Sequence, residues 1–181
     1  TSTSINLSSS IAAMERKTLL IDIDPQANST SGLGIGKDNK SVYEVLIGIE
    51  EIRDSILSTH MPNLDILPSH INLVGAEVEL VSMQNREKLL KDSVRSLHEY
   101  EYIFIDCPPS LGLLTLNAFT ACQSVIIPVQ CEYFALEGLS QLVNTVELVK
   151  SNLNPSLEIG GVLITMFDAR TNISKDVASE L

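Results

Sequence analysis

The sequence contains no tryptophan, and aromatic residues make up only 4% of its 181 residues. No apolar run approaches the roughly 20 residues that a membrane-spanning helix needs, and the first residues lack the basic and apolar parts of a signal peptide. These absences predict a cytoplasmic protein with no membrane partner. A hydrophobic content of 44% at this length suffices for one buried core. We therefore expect a single domain over residues 1–181.

Cysteine and histidine are also scarce. The cysteines are odd in number and lie in or beside strand and helix patterns, at Cys107, Cys122 and Cys131. This placement favours buried free thiols over disulfides or a metal cage. The three histidines are scattered along the chain and give no zinc-binding spacing.

Positive charge is in short supply. The sequence has 12 lysines and arginines against 23 aspartates and glutamates, a formal net charge of -11. Binding of nucleic acid through bulk charge requires clustered lysine and arginine. Any contact with DNA must therefore be local or conditional.

Strand patterns alternate with helical patterns along the chain. Strands are predicted at residues 17–23, 64–67, 102–106, 124–129 and 159–165. Helices are predicted at residues 2–15, 41–48, 50–58, 70–82, 85–99, 111–121 and 136–153, and residues 24–40 have the composition of a surface loop. This order predicts an α/β fold with a mainly parallel sheet and helices on both faces.

Carboxylates follow two of the apolar strands. Asp22 and Asp24 end the first strand, and Asp106 ends the run Ile103-Phe-Ile-Asp106. The carboxyl ends of parallel strands are where an open α/β sheet binds its ligand, and carboxylates there suit a magnesium nucleotide. The bland alternative is that these are hydrogen-bonded loop carboxylates, but packing explains poorly an aspartate at the end of an isoleucine-rich strand.

Five segments are distinctive: Asp22-Ile-Asp-Pro-Gln-Ala-Asn28, Ser31-Gly-Leu-Gly34, Asp106-Cys-Pro-Pro-Ser-Leu-Gly112, Pro128-Val-Gln-Cys-Glu-Tyr-Phe-Ala-Leu-Glu-Gly138 and Thr165-Met-Phe-Asp-Ala-Arg170. Together they resemble the ParA/Soj family of chromosome- and plasmid-partitioning ATPases, essentially from end to end. The resemblance implies a P-loop NTPase-like fold. It also implies that the sequence is truncated, because the glycines and lysines of the family's deviant Walker A loop precede the position of Thr1, and further strands and a helix follow the last residues. We expect such a fragment alone to be inactive.

The resemblance assigns the residues nearest the phosphates. Thr1 would bind magnesium through its hydroxyl and Ser2 would lie near the phosphates, although a frayed terminal threonine is the alternative. Asp24 would orient or deprotonate the attacking water, and Asp106 would hold magnesium through water. Thr1, Asp24 and Asp106 together form the expected magnesium site.

For other positions the resemblance leaves two interpretations open. Asp22 either assists magnesium or makes a structural hydrogen bond. Pro108 stiffens the loop after Asp106, as a turn breaker also would. Met166 flanks the adenine or is a core methionine, and Arg170 contacts DNA or is a solvated surface residue. Residues 130–138 face a partner subunit, or contribute Phe134 and Leu136 to the core.

The function implied for the intact protein is that of a DNA-partitioning ATPase. ATP and Mg²⁺ drive formation of a homodimer, the dimer binds DNA without sequence preference, and a ParB-like centromere-binding protein stimulates hydrolysis. Such a protein is associated with the nucleoid. The alternatives are a MinD-like membrane-cycling ATPase, a nitrogenase-type iron protein and a scaffold that binds DNA or an adaptor without hydrolysing ATP.

One glycine-rich segment imitates a phosphate-binding loop. Gly32-Leu-Gly-Ile-Gly-Lys37 satisfies neither the dinucleotide-binding nor the P-loop spacing, and no strand leads into it. We interpret it as a flexible loop beside the switch segment.

Overall fold

The computed structural model describes residues 1–36, 39–131 and 135–171. The chain divides into two compact units, Thr1–Ala121 and Cys122–Leu181. The single domain expected over residues 1–181 stays a prediction, and each unit is described by itself.

The first unit is built on a four-stranded sheet with the order β2-β3-β1-β4. Its strands are β1 (Thr18–Asp22), β2 (Leu57–Ser58), β3 (Leu64–Leu67) and β4 (Tyr102–Asp106). β1 is parallel to both β3 and β4, and only the short β2 is antiparallel, pairing with β3. Every residue of β1 is buried, as expected for a central strand with both faces covered. The predicted mainly parallel sheet is confirmed in this unit.

Alternate residues of β1 enter two hydrophobic clusters. Leu19 and Ile21 face one cluster, with Leu73, Leu80 and Leu114 among the helical residues that pack there. Leu20 faces the other cluster, which includes Ala12. Because successive side chains of a strand point to opposite faces, the sheet has helices on both faces, as the sequence predicts.

The helices of the first unit are shorter than the sequence suggests. They are α1 (Ser2–Ala13), α2 (Asn28–Gly32), α3 (Val42–Leu46), α4 (Ile52–Ser55), α5 (Leu73–Leu80), α6 (Leu89–Val94) and α7 (Leu113–Ala121). α3 begins with a capping box between Ser41 and Glu44, which satisfies backbone N–H groups at the start of the helix. The predicted helices at 70–82 and 85–99 are too long, and Asn85, with φ of 54°, interrupts the helical backbone between α5 and α6.

Two further predictions for this unit are wrong. The helix predicted at 50–58 ends at Ser55, and Leu57 and Ser58 form β2, because their backbones pair with Ile66 and Asp65. The loop predicted at 24–40 contains α2. In both places tertiary contacts override a weak local pattern.

The second unit contains β5 (Ser124–Gln130), α8 (Ala135–Asn152) and β6 (Glu158–Thr165). β5 and β6 are parallel, with an irregularity after Val125. The predicted strands at 124–129 and 159–165 and the predicted helix at 136–153 agree with these bounds to within one residue. None of the helices in the described ranges combines the length and hydropathy that crossing a bilayer requires.

Candidate functional site

Asp106, the last residue of β4, lies against the first turn of α1. Its Oδ1 atom accepts a hydrogen bond of 2.8 Å from Ser4 Oγ and lies 2.8 Å from the amino nitrogen of Thr1. Its Oδ2 atom accepts a 2.7 Å hydrogen bond from Ser29 Oγ, and the residue is only 3% exposed. Burial by itself raises the pKa of Asp106, but hydrogen bonds from Thr1, Ser29 and Ser4 outweigh it and the pKa falls below its usual value.

Asp22 ends the neighbouring strand β1 and stands directly opposite Asp106 in the parallel register. Its Oδ2 atom accepts 2.8 Å hydrogen bonds from both the backbone N–H and the hydroxyl of Thr30, and its Oδ1 atom accepts one of 3.2 Å from the Asp24 N–H. The residue is fully buried, and this burial raises the pKa of Asp22 despite those bonds; the charge of Asp106 adds to the rise. Both oxygens of Asp22 thus accept hydrogen bonds from protein donors, as both oxygens of Asp106 do.

Asp24 lies in a tight turn between β1 and α2. Its Oδ1 atom accepts a 2.9 Å hydrogen bond from the Gln26 N–H, and its carbonyl accepts one of 2.9 Å from the Ala27 N–H. Ala27 has a left-handed backbone, with φ of 54°, which is uncommon for a residue with a Cβ atom. Asp24 is 7% exposed. The turn therefore holds a nearly buried carboxylate in a fixed position.

A surface cavity lies beside this turn. It has a volume of about 290 Å³ and is lined by Pro25, Gln26, Ala27, Ser69, His70 and Ile71. Ser69 follows the end of β3, so residues from the ends of two strands border the same space.

Three hydroxyl residues join the carboxylates to one another. Ser29 binds Asp106 and Thr30 binds Asp22, and Thr30 Oγ1 also accepts a 2.9 Å hydrogen bond from the Ser69 N–H. The Ser69 hydroxyl in turn donates to the Asp24 carbonyl at 2.6 Å. We call Asp22, Asp24 and Asp106 the carboxylate site, and Ser29, Thr30 and Ser69 the linking hydroxyls.

The sequence reasoning identified the carboxylate site but missed the linking hydroxyls and Ser4. Ser29 and Thr30 belong to a polar stretch without apolar periodicity, and Ser69 follows a proline outside any motif. The available signal was modest: Ser29 and Thr30 lie five and six residues after Asp24, where hydroxyl side chains can hydrogen-bond to the preceding strand end.

The amino end of α1 carries the two residues expected near the phosphates. Thr1 is the N-cap residue and is exposed, and its nitrogen contacts Asp106 as described. Ser2 begins the helix and is exposed. The structure thus brings the amino nitrogen of Thr1, rather than its hydroxyl, to Asp106.

Pro108 and Pro109 lie in the segment that connects β4 to α7. Pro108 is half-buried and Pro109 is exposed. α7 begins at Leu113 rather than at the predicted residue 111. The stiff proline pair therefore stands directly after Asp106 and outside regular structure.

Met166 and Arg170 belong to the second unit. Met166 is 80% exposed among the described residues and has φ of 54°. Arg170 is exposed and pairs with Asp168, its Nη2 atom lying 2.7 Å from Oδ2. In the segment 130–138, residues 132–134 and the side chains of 135–137, including Phe134 and Leu136, lie outside what the structure describes.

The glycine-rich segment that starts at Gly32 is not a loop at its first residue. Gly32 ends α2, and a Cβ atom there would stand 2.6 Å from Ile5 Cδ1 of α1. The absence of a side chain lets α2 lie against α1. Lys37 lies outside the described residues.

The three cysteines differ in burial. Cys131 is buried, and Cys107 and Cys122 are half-buried. Burial raises the pKa of Cys122 to about 11. Within the described ranges, no three His, Cys, Asp or Glu side chains are grouped to hold a metal ion.

Comparison with known proteins identifies the family. A family model described as an AAA domain matches residues 1–159. The sequence is 54% identical over 184 residues to the chromosome partitioning protein ParA of Myxococcus xanthus, covering all of this chain and 65% of that protein. It is also 54% identical to the sporulation initiation inhibitor protein Soj of Bacillus subtilis, covering 73% of that protein. The chain belongs to the ParA/Soj family of partitioning ATPases.

Solved structures of related proteins share the fold. Cobyrinic acid a,c-diamide synthase from Mycobacterium smegmatis, solved with bound ADP and magnesium, matches 98% of this chain and 73% of its own with a TM-score of 0.91 at 39% identity. A plasmid partition protein from Borrelia burgdorferi matches 99% of this chain and 78% of its own with a TM-score of 0.86 at 32% identity. The predicted P-loop NTPase-like α/β fold is therefore confirmed. This chain spans only 65% of the Myxococcus ParA and 73% of the Bacillus Soj.

The donor set at the carboxylate site fits a magnesium nucleotide. Magnesium in nucleotide sites is held by one or two carboxylates together with phosphates and water. Asp106 supplies a carboxylate, and the first turn of α1 beside it supplies the hydroxyl of Ser4 and an exposed amino end.

Proposed function

We propose that the full-length protein is an ATP-dependent DNA-partitioning ATPase and that the carboxylate site is its nucleotide and magnesium site. The observation that carries this proposal is the contact of Asp106 with the first turn of α1, directly opposite Asp22 on the neighbouring strand. Ligands of parallel α/β sheets bind at the carboxyl ends of the strands. The family membership and the magnesium nucleotide reported for a structure 39% identical to this chain support the same site.

The position of each residue suggests its role in ATP hydrolysis. Bound magnesium and ATP supply the phosphoryl group and neutralise its charge. Asp106 would hold the cation directly or through water, with Thr1 beside it, and the exposed Ser2 would face the phosphates. Asp24 has one side-chain hydrogen bond, from Gln26, so its carboxylate keeps capacity to accept a hydrogen bond from a water molecule. This supports a role for Asp24 in orienting or deprotonating the attacking water.

The remaining parts of the proposal concern partners. Nucleotide-dependent dimerisation, binding of DNA without sequence preference, stimulation by a ParB-like protein and association with the nucleoid are what membership of the family suggests. The net charge of -11 requires DNA contacts to be confined to local basic positions. Arg170, exposed but paired with Asp168, is one candidate, and the exposed Met166 is a candidate contact for the adenine base.

The test is to replace Asp24 in the full-length protein. Asp24→Asn keeps an oxygen that can accept the Gln26 N–H and removes only the charge, whereas Asp24→Ala also removes that acceptor. We expect both to lower kcat for ATP hydrolysis by about 100-fold or more, the size typical of losing an acid–base group. Binding of magnesium ATP and dimerisation should persist. Phosphate release and nucleotide affinity are measured on the same samples.

Asp65→Asn is the matched control. Asp65 is a buried carboxylate in β3 of the same sheet, but it binds Lys17 and Tyr100 and does not touch the carboxylate site. It should hydrolyse ATP at the wild-type rate. Undiminished phosphate release by Asp24→Asn would discard the role of Asp24, and a wild-type protein that binds DNA but never releases phosphate would favour the scaffold over the ATPase.

A further inference from the structure

We propose that Ser29 and Thr30 are positioning residues of this site, Ser29 fixing the orientation of Asp106 and Thr30 joining Asp22 to the turn that carries Asp24. The inference rests on the function proposed above and deepens it. It assigns a role to two residues of α2 that lie between the segments Asp22–Asn28 and Ser31–Gly34, on which the family resemblance rests. Neither residue touches the reacting atoms in this account; each acts through a carboxylate.

Ser29 completes the set of donors around Asp106. Its side chain is fully buried, and its hydroxyl reaches Oδ2 while the Ser4 hydroxyl reaches Oδ1. A carboxylate whose two oxygens accept hydrogen bonds from two different helices has little freedom to rotate. Ser29 therefore decides which lone pairs of Asp106 remain available to a cation.

Thr30 has a hydroxyl whose orientation the structure determines. A hydroxyl has one proton to donate. Thr30 gives that proton to Asp22 Oδ2 and accepts the Ser69 N–H on its oxygen. Because Ser69 also donates its hydroxyl to the Asp24 carbonyl, Thr30 connects the end of β1, the residue after β3 and the Asp24 turn.

Because Ser29 and Thr30 are neighbours in α2, they connect Asp106 to Asp22 and to the Asp24 turn. α2 has only five residues, too few to be stable as an isolated helix. Its position depends on the bonds that Ser29 and Thr30 make to Asp106 and Asp22, together with the packing of Gly32 on Ile5. Any displacement of Asp106 on binding a cation is transmitted through Ser29 to Thr30, and from there to the Asp24 turn.

The chain offers a matched pair of variants for Thr30. Thr30→Val keeps the shape and removes the hydroxyl, and Thr30→Ser keeps the hydroxyl and removes a methyl group. In the full-length protein we expect Thr30→Val to lower kcat roughly tenfold, as for loss of one hydrogen bond to a charged group, with KM changed by less than about twofold. Thr30→Ser should stay within about threefold of wild-type kcat, because the hydrogen bonds persist.

A second readout needs no nucleotide. Thr30→Val removes the acceptor of the Ser69 N–H, so amide hydrogen exchange at Ser69 should speed up by about tenfold in the nucleotide-free protein. Thr120→Val is the control: Thr120 is also fully buried, but its hydroxyl only returns to the Leu116 carbonyl within α7. Thr120→Val should leave kcat and the exchange of Ser69 unchanged.

Ser29→Ala tests the other half of the proposal. It should raise the magnesium concentration needed for half-maximal turnover by about tenfold, because Asp106 loses an orienting donor. Its control is Ser55→Ala, since Ser55 is buried and its hydroxyl has no hydrogen-bond partner within the described part of the chain. Ser55→Ala should behave as wild type.

The outcomes separate this inference from the proposed function. Wild-type kcat and wild-type exchange at Ser69 in Thr30→Val, beside an inactive Asp24→Asn, would overturn the inference and leave the function standing. A wild-type protein that neither binds nor hydrolyses magnesium ATP would overturn both. If Thr30→Val does not fold, Ser29→Ala tests the inference. An unchanged magnesium requirement in Ser29→Ala would then overturn the positioning role proposed for Ser29 and Thr30.

Discussion

Buried carboxylates at the two ends of the four-stranded sheet differ in the partners that hold them. Near the amino end, Asp65 of β3 is 8% exposed, pairs with the Lys17 ammonium and accepts a 2.9 Å hydrogen bond from the Tyr100 hydroxyl. At the carboxyl end, Asp22, Asp24 and Asp106 are held by hydroxyls, backbone N–H groups and the Thr1 amino nitrogen. In the part of the chain that the structure describes, no lysine, arginine or histidine side chain pairs with these three residues.

The difference indicates which end is built for a ligand. Asp65 already has its counter-ion, so its charge is accounted for within the fold. The carboxylate site places Asp22 and Asp106 side by side, and their pKa values move apart, that of Asp22 upward through burial and that of Asp106 downward through its donors. Asp106 forms an ion pair with the amino group of Thr1, but among the described residues no side-chain cation neutralises the two adjacent carboxylates, an arrangement that an external cation relieves.

Replacing a carboxylate at either end of the sheet should have its largest effect on the gain in stability that magnesium ATP provides. A ligand present at 100 times its Kd stabilises a protein by about 2.7 kcal/mol. Asp106→Asn should weaken the apparent affinity for magnesium ATP at least tenfold, removing about 1.4 kcal/mol of that gain. Asp65→Asn should lower stability without nucleotide and keep the full gain with it. Thermal unfolding of the full-length protein with and without a non-hydrolysable ATP analogue and Mg²⁺ measures both.

Either of two results would erase the contrast between the ends. One is an Asp106→Asn variant with the same gain in Tm as wild type, and the other is an Asp65→Asn variant without that gain. In the first case Asp106 does not serve the cation, and in the second the amino end contributes to the ligand site.

At the amino end of the sheet we expect a smaller effect, on the pH dependence of the free energy of unfolding. Burial and the hydrogen bond to Asp65 raise the pKa of Tyr100 well above its usual value. The stability that this shift contributes is fully present below the unfolded-state pKa of about 10 and is lost as the pH rises beyond it, because the unfolded state releases the proton first. Between about pH 9 and pH 11, roughly one unit either side of the unfolded-state pKa of tyrosine, Tyr100→Phe should therefore lose less stability than wild type.

Urea unfolding across that range gives the comparison. The carboxylate site has no tyrosine partner among the hydrogen bonds described, so nucleotide binding should be the same in Tyr100→Phe and wild type. Parallel stability curves for the two proteins would contradict the assigned environment of Tyr100.

The sequence predicts the parts of the fold whose signals are dense. β1 and β4 are continuous apolar runs, and each is closed by an aspartate, so both their existence and the position of Asp22, Asp24 and Asp106 follow from the residues alone. α3 carries a capping box that marks its start. The strands and the helix of the second unit are found for the same reason, since their apolar periodicity is long enough to be distinct.

The rest depends on contacts that local sequence does not encode. β2 exists because Leu57 and Ser58 pair with β3. α2 begins after an alanine in a left-handed conformation and consists of small polar residues, so neither a cap nor an apolar stripe announces it. The roles of Ser29, Thr30 and Ser69 follow only from their three-dimensional distances to the carboxylates.

The most direct test of the central claim is to locate the cation. Crystals of the full-length protein with a non-hydrolysable ATP analogue and Mn²⁺ in place of Mg²⁺ would reveal the metal by its anomalous scattering. We expect a peak beside Asp106, at the first turn of α1, and no peak near Asp65. A metal bound elsewhere on the chain, with Asp106 still bound to Thr1, Ser4 and Ser29, would show that Asp106 does not hold the cation.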